Sequence, residues 1–146
     1  MHYRDYFPLI RKNVLQKWEQ SWHNVQNNKL RSIKASTKSW TSSAQKNRWL
    51  EVMLCRLRLG HVRAKHEWIL KRGQPPVCQH CSGPLTVRHA LAECDYHTQL
   101  RHTIYPQTVG MREQDTLSHI LAESNEQFNT TRLMNYLTGI GFINSI

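Results

Sequence analysis

Three of the chain's four cysteines stand between positions 78 and 94, in the run PPVCQHCSGPLTVRHALAEC, with a histidine between the second and the third. The spacing is Cys78-x2-Cys81-x7-His89-x4-Cys94. No other feature constrains the fold as much, because tetrahedral zinc takes four soft or borderline ligands and Cys3His is one of its usual structural sets. Two cysteines separated by two residues bend round one ion, and Gly83-Pro84 turns the chain back toward it. Thr86 is placed to cap a helix that carries His89 in its first turn. On one continuous helix His89 and Cys94 would lie about 140° apart. The helix is therefore expected to end near Glu93, so that Cys94 can turn back. Cys78, Cys81, His89 and Cys94 are thus the expected ligands of Zn2+. His97, which follows Cys94 at the same two-residue spacing, is the alternate, and His80 and Glu93 are further rivals.

Other chemistries fit the letters less well. Cys78-Gln-His-Cys81 has the spacing of a redox dithiol, but the strand and helix of a thioredoxin-like unit are missing. A zinc deaminase needs an upstream His-x-Glu, which occurs nowhere in the chain. A zinc protease would need a second histidine at position 70, which is Leu70. Asp5, Asp95 and Asp115 are scattered, so no paired carboxylates are available for two-metal chemistry. Four protein ligands leave no open position on the ion, so the metal is expected to be structural and the protein not to be an enzyme.

Charge narrows the choice of partner. Residues 1–73 hold 16 of the 20 Lys and Arg against only four acids, a net +12, and all five tryptophans; residues 74–146 carry −2. A basic half rich in indole suggests a polyanion, with RNA or single-stranded nucleic acid first. Arg56, Arg58, Arg63, Lys65, Lys71 and Arg72 are the candidate phosphate contacts, and Trp40 the candidate for stacking on a base. No stretch reaches the roughly 18 uninterrupted apolar residues of a membrane span, and MHYRDYFPLIRKN is too polar for a signal peptide. The expected location is intracellular, nucleus or cytoplasm, where clustered cysteines more often hold metal than form disulfides.

The remaining pattern is helical. Val14, Leu15, Trp18, Trp22 and Val25 share an arc of about 100°, which predicts an amphipathic helix over 9–26 with Pro8 in its first turn. Residues 27–43 are basic and without helical period, and read as a linker or a loop. A second helix is expected over 44–59 with Gly60 as its stop, and a shorter one over RAKHEWILKR. Cys55 lies on the flank of the second helix, apart from the cluster. Further helices are expected over 96–104, closed by Pro106, over 117–122, and over 131–138, with Gly139 as the last stop. The expected fold is mostly α: a small helical domain, 44–146, with a zinc-stabilised Cys3His insert at 75–97, preceded by a basic helical arm and linker, 1–43.

One resemblance joins these readings. LCRLRLGHVRAKHEWILKRGQPPVCQHCSGPLTVRHALAEC, together with DYFPLIRKNVLQKWEQSW and NNKLRSIKASTKSWTSS upstream, resembles the C-terminal region of the polyproteins of jockey- and I-type non-LTR retrotransposons, downstream of their reverse transcriptase and ribonuclease H domains. The resemblance runs from about Asp5 to Arg101 and is most specific from Arg56 to His61 and in the cysteine cluster. It implies a zinc knuckle that binds nucleic acid in the service of reverse transcription, with the same four metal ligands and with the polymerase part of the element as a possible partner. It transfers no catalytic residue, since the polymerase and ribonuclease H carboxylates have no counterparts here. The other function class compatible with the pattern is a zinc-stapled protein-docking module with no nucleic-acid role.

Overall fold

The computed structural model describes residues 3–123 and 128–146, with the backbone alone at 3–5, 64 and 65. Among the described residues six α-helices follow one another: α1 (Tyr3–Asn24), α2 (Arg48–Leu59), α3 (Arg63–Lys71), α4 (Thr98–Ile104), α5 (Glu113–Leu121) and α6 (Thr130–Gly139). A π-helical turn, His89–Glu93, lies between α3 and α4. Among the described residues the only β pairing is one antiparallel bridge, Val77 to Pro84. The fold is therefore mostly α, with the Cys3His group gathered in its middle third.

The core forms where four segments bring apolar faces together. Met53, Leu54 and Leu57 of α2 meet Val87, Ala90 and Leu91 around the π turn, Leu117, Ile120 and Leu121 of α5, and Leu133, Tyr136 and Leu137 of α6. These are one-sided stripes at helical spacing, so each helix buries one face and solvates the other. Local signals set the ends. The Asn47 side chain accepts from the Trp49 N–H at 2.9 Å and starts α2, and left-handed Gly60 stops it. Asn129 starts α6 by accepting from the Arg132 N–H at 3.0 Å. Glu113 and Asp115 occupy the first turn of α5, where the helix dipole favours acids. That helix consequently begins before the apolar run at Leu117 from which the sequence reading starts it.

Before α2 the structure differs from expectation in three places. Pro8 lies inside α1 rather than in its first turn; a proline forfeits its own N–H bond and crowds the turn before it, but does not decide where a helix starts. Val14, Leu15 and Trp18, expected on a buried face, are exposed, Trp18 by 55%. Of the apolar five, Trp22 reaches the body, its indole N–H donating to the Lys34 carbonyl at 2.9 Å. The third difference concerns residues 27–43, which pack against the helical domain. Ile33 joins the core, the Ser118 hydroxyl donates to the Ser32 carbonyl at 2.7 Å, and a turn at Thr41–Ser43 is gripped by Glu123.

At the far end, Gly139 is the last residue of α6, and the left-handed residue is Gly141. Gly139 serves a close approach: a Cβ there would lie 2.8 Å from Leu100 Cδ2 of α4.

Candidate metal centre

The centre is built by two short segments facing each other. The first is a tight loop over 78–83. The Ser82 N–H donates to the Cys78 carbonyl at 2.9 Å and the Cys78 N–H to the Gly83 carbonyl at 2.7 Å, with Ser82 in the left-handed region at φ 58°. This loop aims the Cys78 and Cys81 sulfurs the same way. The second segment is the π turn. Its start is fixed by Thr86, whose hydroxyl accepts from the His89 N–H at 2.9 Å, the cap expected from sequence. The turn ends at Glu93, and Cys94 is extended at φ −65°, ψ 115°, which returns its side chain to the group. The wider π turn closes on the Cys94 N–H, which donates to the His89 carbonyl at 2.9 Å, so the two ligand-bearing residues are tied directly.

The four side chains converge. One ligand atom each from Cys78, Cys81, His89 and Cys94 lies within 4.8 Å of all the others, an arrangement able to hold a metal ion. Cys78 Sγ is 3.9 Å from Cys94 Sγ, and Cys81 Sγ is 3.2 Å from His89 Nε2. Gly83 belongs to this packing: a Cβ there would meet His89 Cε1 at 3.1 Å, so a larger residue would push the imidazole off its position. Burial pushes the Cys78 thiol up, but donors from the His80 N–H, the His89 ring and Cys81 outweigh it and bring it down to about 6. Burial raises Cys94. A cluster with one thiol so readily ionised is suited to a cation, since thiolate is the form that ligates.

The rival ligands have other places. His97 is buried, with its ring edge-on to both His80 and Tyr96 at 5.3 Å, and it is not among the four. His80 stacks on Tyr96 at 3.8 Å with the rings 2° from parallel. Glu93 Oε2 faces His89 Nδ1 at 3.8 Å, on the side of the ring away from the sulfurs, and Glu93 Oε1 is held by Arg88 Nε at 2.6 Å. Arg88 also reaches Glu113 of α5, at 3.0 Å.

One supporting residue escaped the sequence reading. Arg101 is buried, and its guanidinium donates to the Leu91 and Cys94 carbonyls, both at 3.3 Å, and to the Thr98 hydroxyl at 2.9 Å. It braces the end of the π turn where Cys94 leaves it. A buried arginine has no distinguishing letter pattern, so nothing in the sequence announces this role.

The candidate basic residues are divided between α2 and α3. Arg63 and Lys71 are exposed on α3, and each reaches Glu67 at 3.6 Å. Arg72 is exposed in the left-handed cap of the same helix, and the Lys65 side chain lies outside the described residues. Arg56 is exposed on α2, with Nη1 donating to the Ile146 carbonyl at 2.8 Å.

Arg58 departs from the expectation that it lies on the surface. It is 5% exposed and donates to the Leu121 carbonyl at 3.1 Å and the Ser42 hydroxyl at 2.8 Å, and its guanidinium sits 4.0 Å above the Trp40 ring. Burial lowers its pKa to about 10, with the Glu123 charge opposing. Trp40 also has the Lys34 ammonium over its ring at 4.4 Å, so it anchors the 27–43 segment through cation–π contacts instead of offering an open face. Helical phase explains the burial of Arg58: it lies four residues after Leu54 on α2, on the side of the core face that the Trp40 segment covers.

Compared with protein-family models, with curated proteins and with solved structures, the chain matches none. Among the described residues, no helix is long and apolar enough to cross a membrane.

Proposed function

We propose that the chain is a non-catalytic, zinc-stapled module that binds RNA or single-stranded nucleic acid, derived from the C-terminal region of a non-LTR retrotransposon polyprotein. The observation that carries the reading is the convergence of Cys78, Cys81, His89 and Cys94 next to a half-chain of net +12. Zinc is the metal that suits the donors: a tetrahedron with arms of about 2.3 Å to sulfur has edges of about 3.8 Å, close to the 3.9 Å between Cys78 and Cys94. Bound there, zinc would supply cross-linking alone, since four protein ligands leave no site for a substrate. His89 would ligate through Nε2, the nitrogen that faces Cys81. Exposed Arg56, Arg63, Lys71 and Arg72 are the remaining phosphate contacts on described side chains, and the origin in a mobile element rests on the resemblance.

The test has two independent readings. Native mass spectrometry is expected to count one zinc per chain, and a chain that carries none overturns the metal assignment. Retention on single-stranded RNA is expected to fall steeply with salt, by about 0.7 in log K per phosphate contact for each decade. A flat response overturns the nucleic-acid assignment. The exposed apolar residues of α1, Trp18 above all, favour a second reading as a protein-docking module. Capture of a defined protein by a chain that ignores RNA would select it.

A further inference from the structure

A groove of about 530 Å³ runs along α2, between that helix and the segment that crosses it from Leu30 to Ser43. This volume is within the range of small-ligand sites, which are mostly apolar with a few polar groups that fix orientation. Leu30, Val52 and Leu59 line it with apolar surface, Arg48 and Arg56 supply charge, and the exposed Cys55 opens into it. Trp40 and Arg58 also contribute to the lining, and their stacking keeps that wall rigid. The one acid in the lining, Glu51, is already engaged by Arg48 Nη1 at 2.9 Å and by the Gln45 N–H at 3.0 Å. The groove therefore carries excess positive charge above an apolar floor.

That combination selects an anion with a flat apolar body. A duplex keeps its bases inside the stack, where they cannot enter a groove; a single strand offers base and phosphate together, repeated along its length. An acidic peptide matches the charge but sets its carboxylates on flexible stems, with no planar group between them. We propose that this groove seats one base of a single-stranded nucleic acid, with neighbouring phosphates on Arg48 and Arg56. The proposal rests on the nucleic-acid reading above, and it moves the contact away from the metal centre to α2.

Cys55 provides the assay, because it opens into the groove while the other three cysteines belong to the metal centre. The full chain, with its metal retained, is alkylated with a maleimide, and the rate at Cys55 is followed by peptide mass with and without an oligouridylate of about 12 nucleotides. The oligomer is expected to slow Cys55 labelling by at least about five-fold, the least that one seated base contributes, and high salt or Arg56→Ala should restore the rate. Cys55→Trp, which fills the groove from an exposed position, should weaken binding of a fluorescent oligomer by a similar factor. If the oligomer binds while the Cys55 rate and the Cys55→Trp affinity stay as they were, the groove is not the seat and the nucleic-acid reading survives. If no oligomer binds, both fall. Equal protection by polyglutamate, or protection by uridine monophosphate without protection by the oligomer, overturns the assignment to a nucleic-acid strand.

Discussion

Glu93 acts on the His89 nitrogen that faces away from the sulfurs, with its other oxygen anchored by Arg88. Outer carboxylates of this kind fix the tautomer and ring angle of a ligating histidine, and their loss typically weakens metal binding by 10- to 100-fold. Glu93→Gln is accordingly expected to lower zinc affinity by about that factor, measured by competition with a chelating dye, while the chain keeps its helical circular dichroism. An unchanged affinity would mean that the carboxylate serves Arg88 alone. The grouping of Cys78, Cys81, His89 and Cys94 was legible, because metal geometry limits how cysteines and histidine can be spaced along a chain. The place of Glu93 was not, since a position four residues after His89 lies on the same helical face for a ligand and for a neighbour of a ligand. Gly83 was legible only as a turn former; its closeness to the imidazole depends on how the loop and the π turn meet, which no local pattern encodes.

At the scale of elements, helix existence could be read from apolar period, and Gly60 is the stop the sequence announces, whereas the starts at Asn47 and Asn129 were not read from it. The segment 27–43 could not, because it is held by hydrogen bonds to distant groups instead of by a stripe. One carboxylate dominates: Glu123, at the end of α5, accepts from the Thr41 N–H at 2.8 Å, from both Ser42 donors, and from the Thr41 hydroxyl. The same Ser42 hydroxyl accepts from Arg58, which lies over Trp40. Burial raises the Glu123 carboxyl, but the bonds from Thr41 and Ser42 outweigh it and leave its pKa below the ordinary value. A depressed folded pKa means that the stabilisation is fully present above the unfolded carboxylate value, about 4.3, and is lost as pH falls through the folded one. Amide exchange should therefore show Thr41 and Ser42 protected at neutral pH and opening under acid, whereas Glu123→Gln opens them at neutral pH, at a cost of about 1–2 kcal/mol for a half-buried charged acceptor. Protection that persists in the variant would place the grip on Trp40 and Ile33 instead.

For the whole molecule, the decisive fact is that the Cys3His segment shares its apolar residues with everything around it. Val87, Ala90, Leu91 and Ala92 belong to the same core as α2, α5 and α6, the Tyr136 hydroxyl of α6 donates to the Ala90 carbonyl at 3.4 Å, and Arg88 ties the segment to Glu113. Structural zinc contributes roughly 10 kcal/mol or more to small domains, while a domain's net stability is about 5–15 kcal/mol. Losing the ion should therefore disturb more than one loop. Cys81→Ser is expected to abolish the zinc count and to remove hydrogen-exchange protection first from 75–97 and then from α5 and α6, which pack on the π turn. Helix α1 should keep much of its signal, because among the described contacts it is joined to the body chiefly by the Trp22 bond to Lys34 and the Glu19 contact with Thr37 at 2.8 Å. Exchange confined to 75–97 would mean that the helical core closes without the metal and that the Cys3His segment is a separable clip. Simultaneous loss of α1 would instead make arm and domain one cooperative unit, with the exposed stripe of that helix held in place from the metal centre.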